Sequence, residues 1–138
     1  MTRPLHVLVA DDVPDNRGLL SQLLRHEGYR VSEAADGQAA IDLLDVVGPK
    51  RPALVLLDLG LPHVDGFGVL ARLRADDRTR EVPVIVVTGR DLGPEDLDRL
   101  SGVRRVVPKG ELAERLALQD LRSLFEELVP GMKMQEVV

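Results

Sequence analysis

The chain has 138 residues, 18 Lys and Arg against 23 Asp and Glu for a net charge of −5, and no cysteine. Its length suits one domain with its own core, its acidity argues against general nucleic-acid binding, which needs a basic footprint, and the missing thiols exclude disulfides and thiolate metal sites. No apolar run approaches the ~20 residues of a membrane span, and Met1-Thr2-Arg3-Pro4 lacks the layout of a signal peptide, so the expectation is a soluble, cytoplasmic protein.

Leu5 to Ala10 reads as a first buried strand that ends in Asp11 and Asp12. Pro14 and Asp15 suit a helix start, because Pro fits the first turn and acids favour the positive end of the dipole. Leu19, Leu20, Leu23 and Leu24 share a helical face, and Gly28 suits the C-terminal cap. Tyr29 to Ala34 is a more polar strand, as expected near a sheet edge. Asp36-Gly37 makes a turn before a second helix carrying Ala39, Ala40, Leu43, Leu44 and Val47. After the loop Gly48 to Pro52 comes Ala53-Leu54-Val55-Leu56-Leu57, an apolar run that stops at Asp58. Gly60, Pro62 and Gly66 follow, so the run is a strand buried on both faces with a carboxylate at its end.

A third helix starts near Gly66, with Phe67, Leu70 and Leu73 on one face. Pro83 to Thr88 is a fourth strand, and Pro94 to Ser101 a short fourth helix. Arg104 to Val107 is a fifth strand, followed by Pro108-Lys109-Gly110. A long last helix is predicted from about Glu111 to Val129, ended by Pro130-Gly131, with a tail over Met132 to Val138. In that helix Leu121, Leu124, Phe125 and Leu128 form a core-like stripe. Leu112 and Leu116 point away from it, either onto another neighbour or into a dimer or partner patch. Five strands alternating with five helices argue for an α/β fold, a parallel sheet covered on both faces. Right-handed crossovers then bring all strand carboxyl ends to one edge.

That edge gathers Asp11, Asp12, Asp58, Thr88 and Lys109 from four segments. Clustered carboxylates repel unless a cation sits among them. Oxygen ligands without Cys or His suit Mg²⁺, which accepts one or two carboxylates with phosphate oxygens and waters. A carboxylate is also a nucleophile able to take a phosphoryl group, whose oxygens a lysine and a hydroxyl can bind. His6, His26 and His63 show no ligand spacing.

The combination of Asp11-Asp12, Asp58 with Pro62 and Asp65-Gly66, Thr88-Gly89 and Lys109 resembles the receiver domain of two-component response regulators, over about residues 5 to 129. The resemblance implies a single doubly wound (βα)5 flavodoxin-like domain over 1–129, with sheet order 2-1-3-4-5 and a tail over 130–138. It makes Asp58 the phosphoacceptor. Asp12, Asp58 and the Gly60 carbonyl would bind Mg²⁺, with Asp11 acting through water. Thr88 would hydrogen-bond the phosphoryl group and Lys109 would pair with it. The donor would be a histidine kinase or phosphotransfer protein, and no turnover enzyme is implied beyond self-phosphorylation and self-dephosphorylation. No DNA-binding module follows, so output is expected through an unidentified protein target or a homodimer, without nucleic acid or membrane.

Two positions depart from the family pattern. Lys109 is followed by Gly110 where receivers carry Pro, so the usual cis bond is not expected there. Val106 stands at the switch position, where a Tyr or Phe would swing inward. Gly60 and Arg90 occupy the positions that tune loss of the phosphoryl group. The stretch Leu92 to Gly110 is most similar to receivers of hybrid histidine kinases. An alternative is a protein-binding module on the same fold that signals without phosphate. A more distant one is an Mg²⁺-dependent phosphohydrolase, which would need Asp-x-Asp where Asp12-Val13-Pro14-Asp15 stands.

Overall fold

The structure, a computed structural model, describes residues 2–47, 52–118, 123, 126–127 and 135–137. The elements run β1 (Thr2–Pro4), β2 (His6–Ala10), α1 (Pro14–His26), β3 (Arg30–Ala34), α2 (Gly37–Val47), β4 (Leu54–Leu57), α3 (Gly66–Ala75), β5 (Val84–Thr88), α4 (Pro94–Arg99), β6 (Arg105–Pro108), α5 (Lys109–Leu118) and β7 (Gln135–Val137). One five-stranded sheet has the order β3-β2-β4-β5-β6, and every pairing in it is parallel. Counted along the sheet's own strands this is the expected 2-1-3-4-5 order.

Side chains along a strand point alternately to the two faces, and the core divides accordingly. Leu8, Ala10, Val55, Leu57, Val84 and Val86 pack with Ala40, Leu44, Phe67, Leu70 and Leu73 from α2 and α3. Val7, Val9, Leu54, Leu56, Ile85 and Val87 pack with Leu20 and Leu24 of α1 and Leu112 of α5. Every residue of β4 and β5 is buried. The near-continuous apolar runs of these two strands follow from covering both faces.

Local chemistry sets the helix ends. Asp65 accepts from the Gly68 N–H at 2.9 Å and so caps α3. Asp36 does the same for α2 through the Ala39 N–H at 2.7 Å. These bonds satisfy backbone donors that a helix start leaves open. Gly28 follows α1 with φ 98°, the left-handed backbone suited to glycine past a helix end. Past α3, the Thr79 hydroxyl donates to the Leu73 carbonyl at 2.8 Å. Arg74, where the apolar stripe of α3 stops, donates to the carbonyls of Arg80, Val82 and Gly102 at 2.7, 3.3 and 3.2 Å. It ties α3 to the loop before β5 and to the turn after α4.

Two expectations at the C-terminal end are corrected. Arg115 donates to Glu127 at 2.7 Å. Twelve residues of straight helix would separate them by about 18 Å, further than the two side chains reach. Residues 115 and 127 therefore do not lie on one straight helix. The predicted tail also contains β7, which pairs antiparallel with β1 in the register Thr2↔Val137, Arg3↔Glu136 and Pro4↔Gln135. Leu112 is buried at 6% exposure, so it packs inward and leaves the alternative patch. The predicted stripe of Leu121, Leu124, Phe125 and Leu128 lies outside the described residues, as does the side chain of Leu116. No cis peptide occurs among the described residues, and none of their helices is long and apolar enough to cross a membrane.

Three outcomes follow from this packing. The Ser21 hydroxyl is buried on α1 without a hydrogen-bond partner, so Ser21→Ala is expected to raise stability by about 1 kcal/mol, read from the urea midpoint. A Cβ at Gly66 would lie 2.5 Å from both the Asp58 carbonyl oxygen and the Leu59 Cα. Neither backbone atom can yield cheaply, so Gly66→Ala is expected to cost about 2 kcal/mol or more; an unchanged midpoint would contradict this packing. Burial, and then the Arg30 charge, hold the His6 imidazole below its ordinary value of 6.5. The unfolded chain therefore binds the proton more readily, and stability falls as pH drops through 6.5 and levels off below the folded value. His6→Gln should flatten that part of the stability–pH curve, compared at pH 8 and pH 5.

Candidate functional site

β2 and β4 lie side by side, with Ala10 opposite Leu57. Asp11 and Asp58 are the next residue on each, so the register alone makes them neighbours. The backbone ladder runs one step beyond the strands. Asp58 N–H donates to the Ala10 carbonyl at 3.0 Å, and Asp11 N–H to the Ala34 carbonyl at 3.1 Å. Both carboxylates are thus carried on fixed backbone, and both residues are 5% exposed. Asp12 follows Asp11 and is exposed. Carboxylate oxygens of Asp11, Asp12 and Asp58 lie within 4.8 Å of one another.

Lys109 begins α5 directly after β6 and enters from the other side. Its Nζ donates to Asp58 Oδ2 at 2.9 Å and lies 3.6 Å from Asp11 Oδ1. A Cβ at Gly89 would be 3.8 Å from Lys109 Cδ, so the lysine stem runs past the turn after β5. The other Asp58 oxygen, Oδ1, accepts from the Gly60 N–H at 3.0 Å. Gly60 is therefore held beside Asp58 through its own amide.

Burial raises the Asp11 carboxyl above its ordinary value. The Val13 N–H, at 2.9 Å, and the Lys109 charge pull it down, while the Asp58 and Asp12 charges add to the rise. For Lys109, burial works against the ammonium. The hydrogen bond and charge of Asp58, then the charges of Asp11 and Asp12, outweigh it and raise its value. One ammonium thus faces three carboxylates. Acceptor-only hard oxygens with excess negative charge are the donor set that Mg²⁺ takes, with room for waters and phosphate oxygens. The residues present fit such an ion.

Thr88 ends β5, the strand next to β4, and is 5% exposed. Its hydroxyl oxygen accepts from the Arg90 N–H at 3.2 Å. The Arg90 guanidinium is turned towards α4, 3.5 Å from Asp96 and 5.5 Å from the centre of the Phe67 ring. Arg99 lies over the same ring at 4.0 Å. Val106 is half-buried and packs against the Phe67 side of the core. His6, His26 and His63 form no cluster with the acids among the described residues.

Arg17 has no place in the sequence expectations. From α1 it donates to the Asp11 carbonyl at 2.8 Å and lies 3.5 Å from Glu33 of β3. One signal was available: a cation in the first turns of a helix runs against the dipole and suggests a specific partner.

The family described as response regulator receiver domain matches residues 7–117. The transcriptional regulatory protein TrcR of Mycobacterium tuberculosis is 39% identical over 100 residues, which make up 72% of this chain and 36% of TrcR. The chain thus spans about a third of that relative's length. Sporulation initiation phosphotransferase F of Bacillus subtilis is 29% identical over 124 residues, 90% of this chain and 93% of that protein. Among solved structures, the receiver domain of the Pseudomonas aeruginosa sensor histidine kinase PA1611, with a magnesium ion in its active-site cleft, is 28% identical. It superposes with a TM-score of 0.71 over 91% of this chain and 98% of its own. That family model covers most of the chain, and the chain belongs to the response regulator receiver domain family.

Proposed function

We propose that the chain is a phosphoacceptor switch of a two-component phosphorelay, with Asp58 taking the phosphoryl group from a phosphohistidine of a kinase or phosphotransfer protein. The observation that carries this is the Asp58 carboxylate held between the Lys109 ammonium at 2.9 Å and the Gly60 amide at 3.0 Å, inside a three-carboxylate cluster. An ion pair serving stability alone would not need two further acids beside it.

In the step itself, an Asp58 oxygen forms a bond to phosphorus while the P–N bond of the donor imidazole breaks. The imidazole leaves as a neutral ring once it holds its proton. Phosphoryl transfer needs little covalent help from the protein, so positioning and charge stabilisation supply the catalysis. Asp12, Asp58 and the Gly60 carbonyl, with Asp11 through water, would hold Mg²⁺, which would supply positive charge for the transfer. Lys109 stays with the product and binds one phosphoryl oxygen. Thr88 gives up its bond from Arg90 N–H no more than partly, because its hydroxyl can accept that bond and donate to phosphate at once. Of the two tuning positions, Gly60 places no side chain over Asp58, and the Arg90 guanidinium is turned to Asp96 and the Phe67 ring. The chemistry is confined to the chain's own aspartate, so the protein is a switch with no turnover substrate.

The reading assigns the receiver unit to 1–129, followed by a segment over 130–138 whose residues 135–137 pair with β1, and it assigns the protein to the cytoplasm, with a protein target or a second copy receiving the signal. With Val106 at the switch position there is no ring to rotate there. The signal instead runs from Thr88 along the loop to Arg90 and α4. The phosphate-independent module is the second reading, and the missing aromatic is what favours it.

Incubation with acetyl phosphate and Mg²⁺, followed by intact mass, separates the two. A phosphoryl-sized gain is expected for the wild type and not for Asp58→Asn or in the presence of chelator. No gain in the wild type, or a gain that persists in Asp58→Asn, would rule out Asp58 as acceptor.

A further inference from the structure

We propose that Arg17 is a positioning residue for the acid cluster, setting the direction of Asp12 through the Asp11 carbonyl and thereby the cluster's affinity for a divalent cation. The inference rests on reading the cluster as a Mg²⁺ site.

The argument starts at the peptide between Asp11 and Asp12. Asp11 is held at its N–H, its carbonyl and one carboxylate oxygen. Its N–H donates to Ala34 at 3.1 Å. Its Oδ1 accepts from Val13 N–H at 2.9 Å and faces Lys109 at 3.6 Å. Its carbonyl accepts from Arg17 at 2.8 Å. Asp12 is the exposed member of the cluster. A trans peptide is a rigid plane, so a grip on the Asp11 carbonyl fixes where the Asp12 N–H and Cα sit. What remains free is the Asp12 φ and its side-chain torsions. Without that grip the plane can rotate, and the carboxylate loses its aim at the shared oxygens.

Arg17 is suited to this by its surroundings. Its side chain is 18% exposed, and the guanidinium is anchored at its other end by Glu33, 3.5 Å away on the neighbouring strand β3. Glu33 is also 3.3 Å from Arg25. The planar fork of Arg can hold a carbonyl and a carboxylate together, which a point-like ammonium does less well. Glu33 also balances the Arg17 charge, so a cation bound at the cluster meets less repulsion than a bare guanidinium would give. The arrangement is a brace from β3 through α1 to the loop that carries two of the three acids. Groups that orient metal ligands from behind commonly alter metal affinity when removed.

The test is Mg²⁺ titration by calorimetry on the full 138-residue chain, for the wild type, Arg17→Ala, Arg17→Lys, Glu33→Gln and the Arg17→Ala/Glu33→Gln pair, with a thermal melt of each. Arg17→Ala is expected to raise the Mg²⁺ Kd about 10-fold, and Arg17→Lys to recover only part of the loss. Glu33→Gln alone should weaken binding, yet change nothing further once Arg17 is gone, because it acts through Arg17. A merely structural role would lower the melting temperature without this coupling in Kd. A folded Arg17→Ala protein with wild-type Kd overturns the inference, as does a Glu33→Gln effect that persists fully in the double variant. Should Arg17→Ala not fold, wild-type Kd in both Arg17→Lys and Glu33→Gln overturns it equally. A wild type that binds no Mg²⁺ removes the reading of the cluster, and the inference with it.

Discussion

Three carboxylates crowded within 4.8 Å at a sheet edge repel one another, and one ammonium cannot balance them. At an effective dielectric constant near 20, a pair of unit charges about 4 Å apart interacts with about 4 kcal/mol. Left to itself the cluster would open. It stays closed because its backbone has nowhere to go. The β2–β4 register makes Asp11 and Asp58 neighbours, and hydrogen bonds from Asp11 and Asp58 N–H extend the ladder into the loops. Lys109 reaches back from the start of α5. The apolar layers on both faces hold these strands, so the stability of the core maintains a charge arrangement that is itself unfavourable.

That division of labour explains what a reader of the sequence can see. Val84 to Val87 and Leu54 to Leu57 are unbroken apolar runs because they are covered on both sides, and such runs announce buried parallel strands. Once the strands are located, chirality of the crossovers puts Asp11, Asp12, Asp58, Thr88 and Lys109 on one edge. The pairings that matter most, Lys109 with Asp58 and the three acids together, therefore follow from strand ends alone. The helix starts at Asp36 and Asp65 are equally legible, since capping is a local affair of a few residues.

What stays hidden depends on contacts between residues far apart whose own neighbourhoods look ordinary. A helical pattern through residues 111–129 says nothing of Arg115 meeting Glu127. Thr2–Pro4 and Gln135–Val137 are too short and too polar to read as strands until they pair with each other. Arg74 reads as the end of an apolar stripe, yet its guanidinium binds three carbonyls from two other segments. The brace formed by Arg17 is of the same kind. Long cations that hold backbone carbonyls leave no spacing signature, because the partner is a group that every residue carries.

α4 contributes no buried residue between Pro94 and Arg99. Within those residues the attachment is polar and superficial, Arg99 over the Phe67 ring at 4.0 Å and Asp96 beside Arg90 at 3.5 Å, while the cap residue Leu100 enters the core. Opening such a helix exposes little apolar surface, so its amides belong to the low end of the local-unfolding free-energy scale. Arg90, one of those attachments, is hydrogen-bonded through its backbone to the Thr88 hydroxyl at the sheet edge. A helix without a buried residue along Pro94–Arg99 is thus wired at one point to the sheet edge, and amide hydrogen exchange across α4 becomes a readout of events at Thr88.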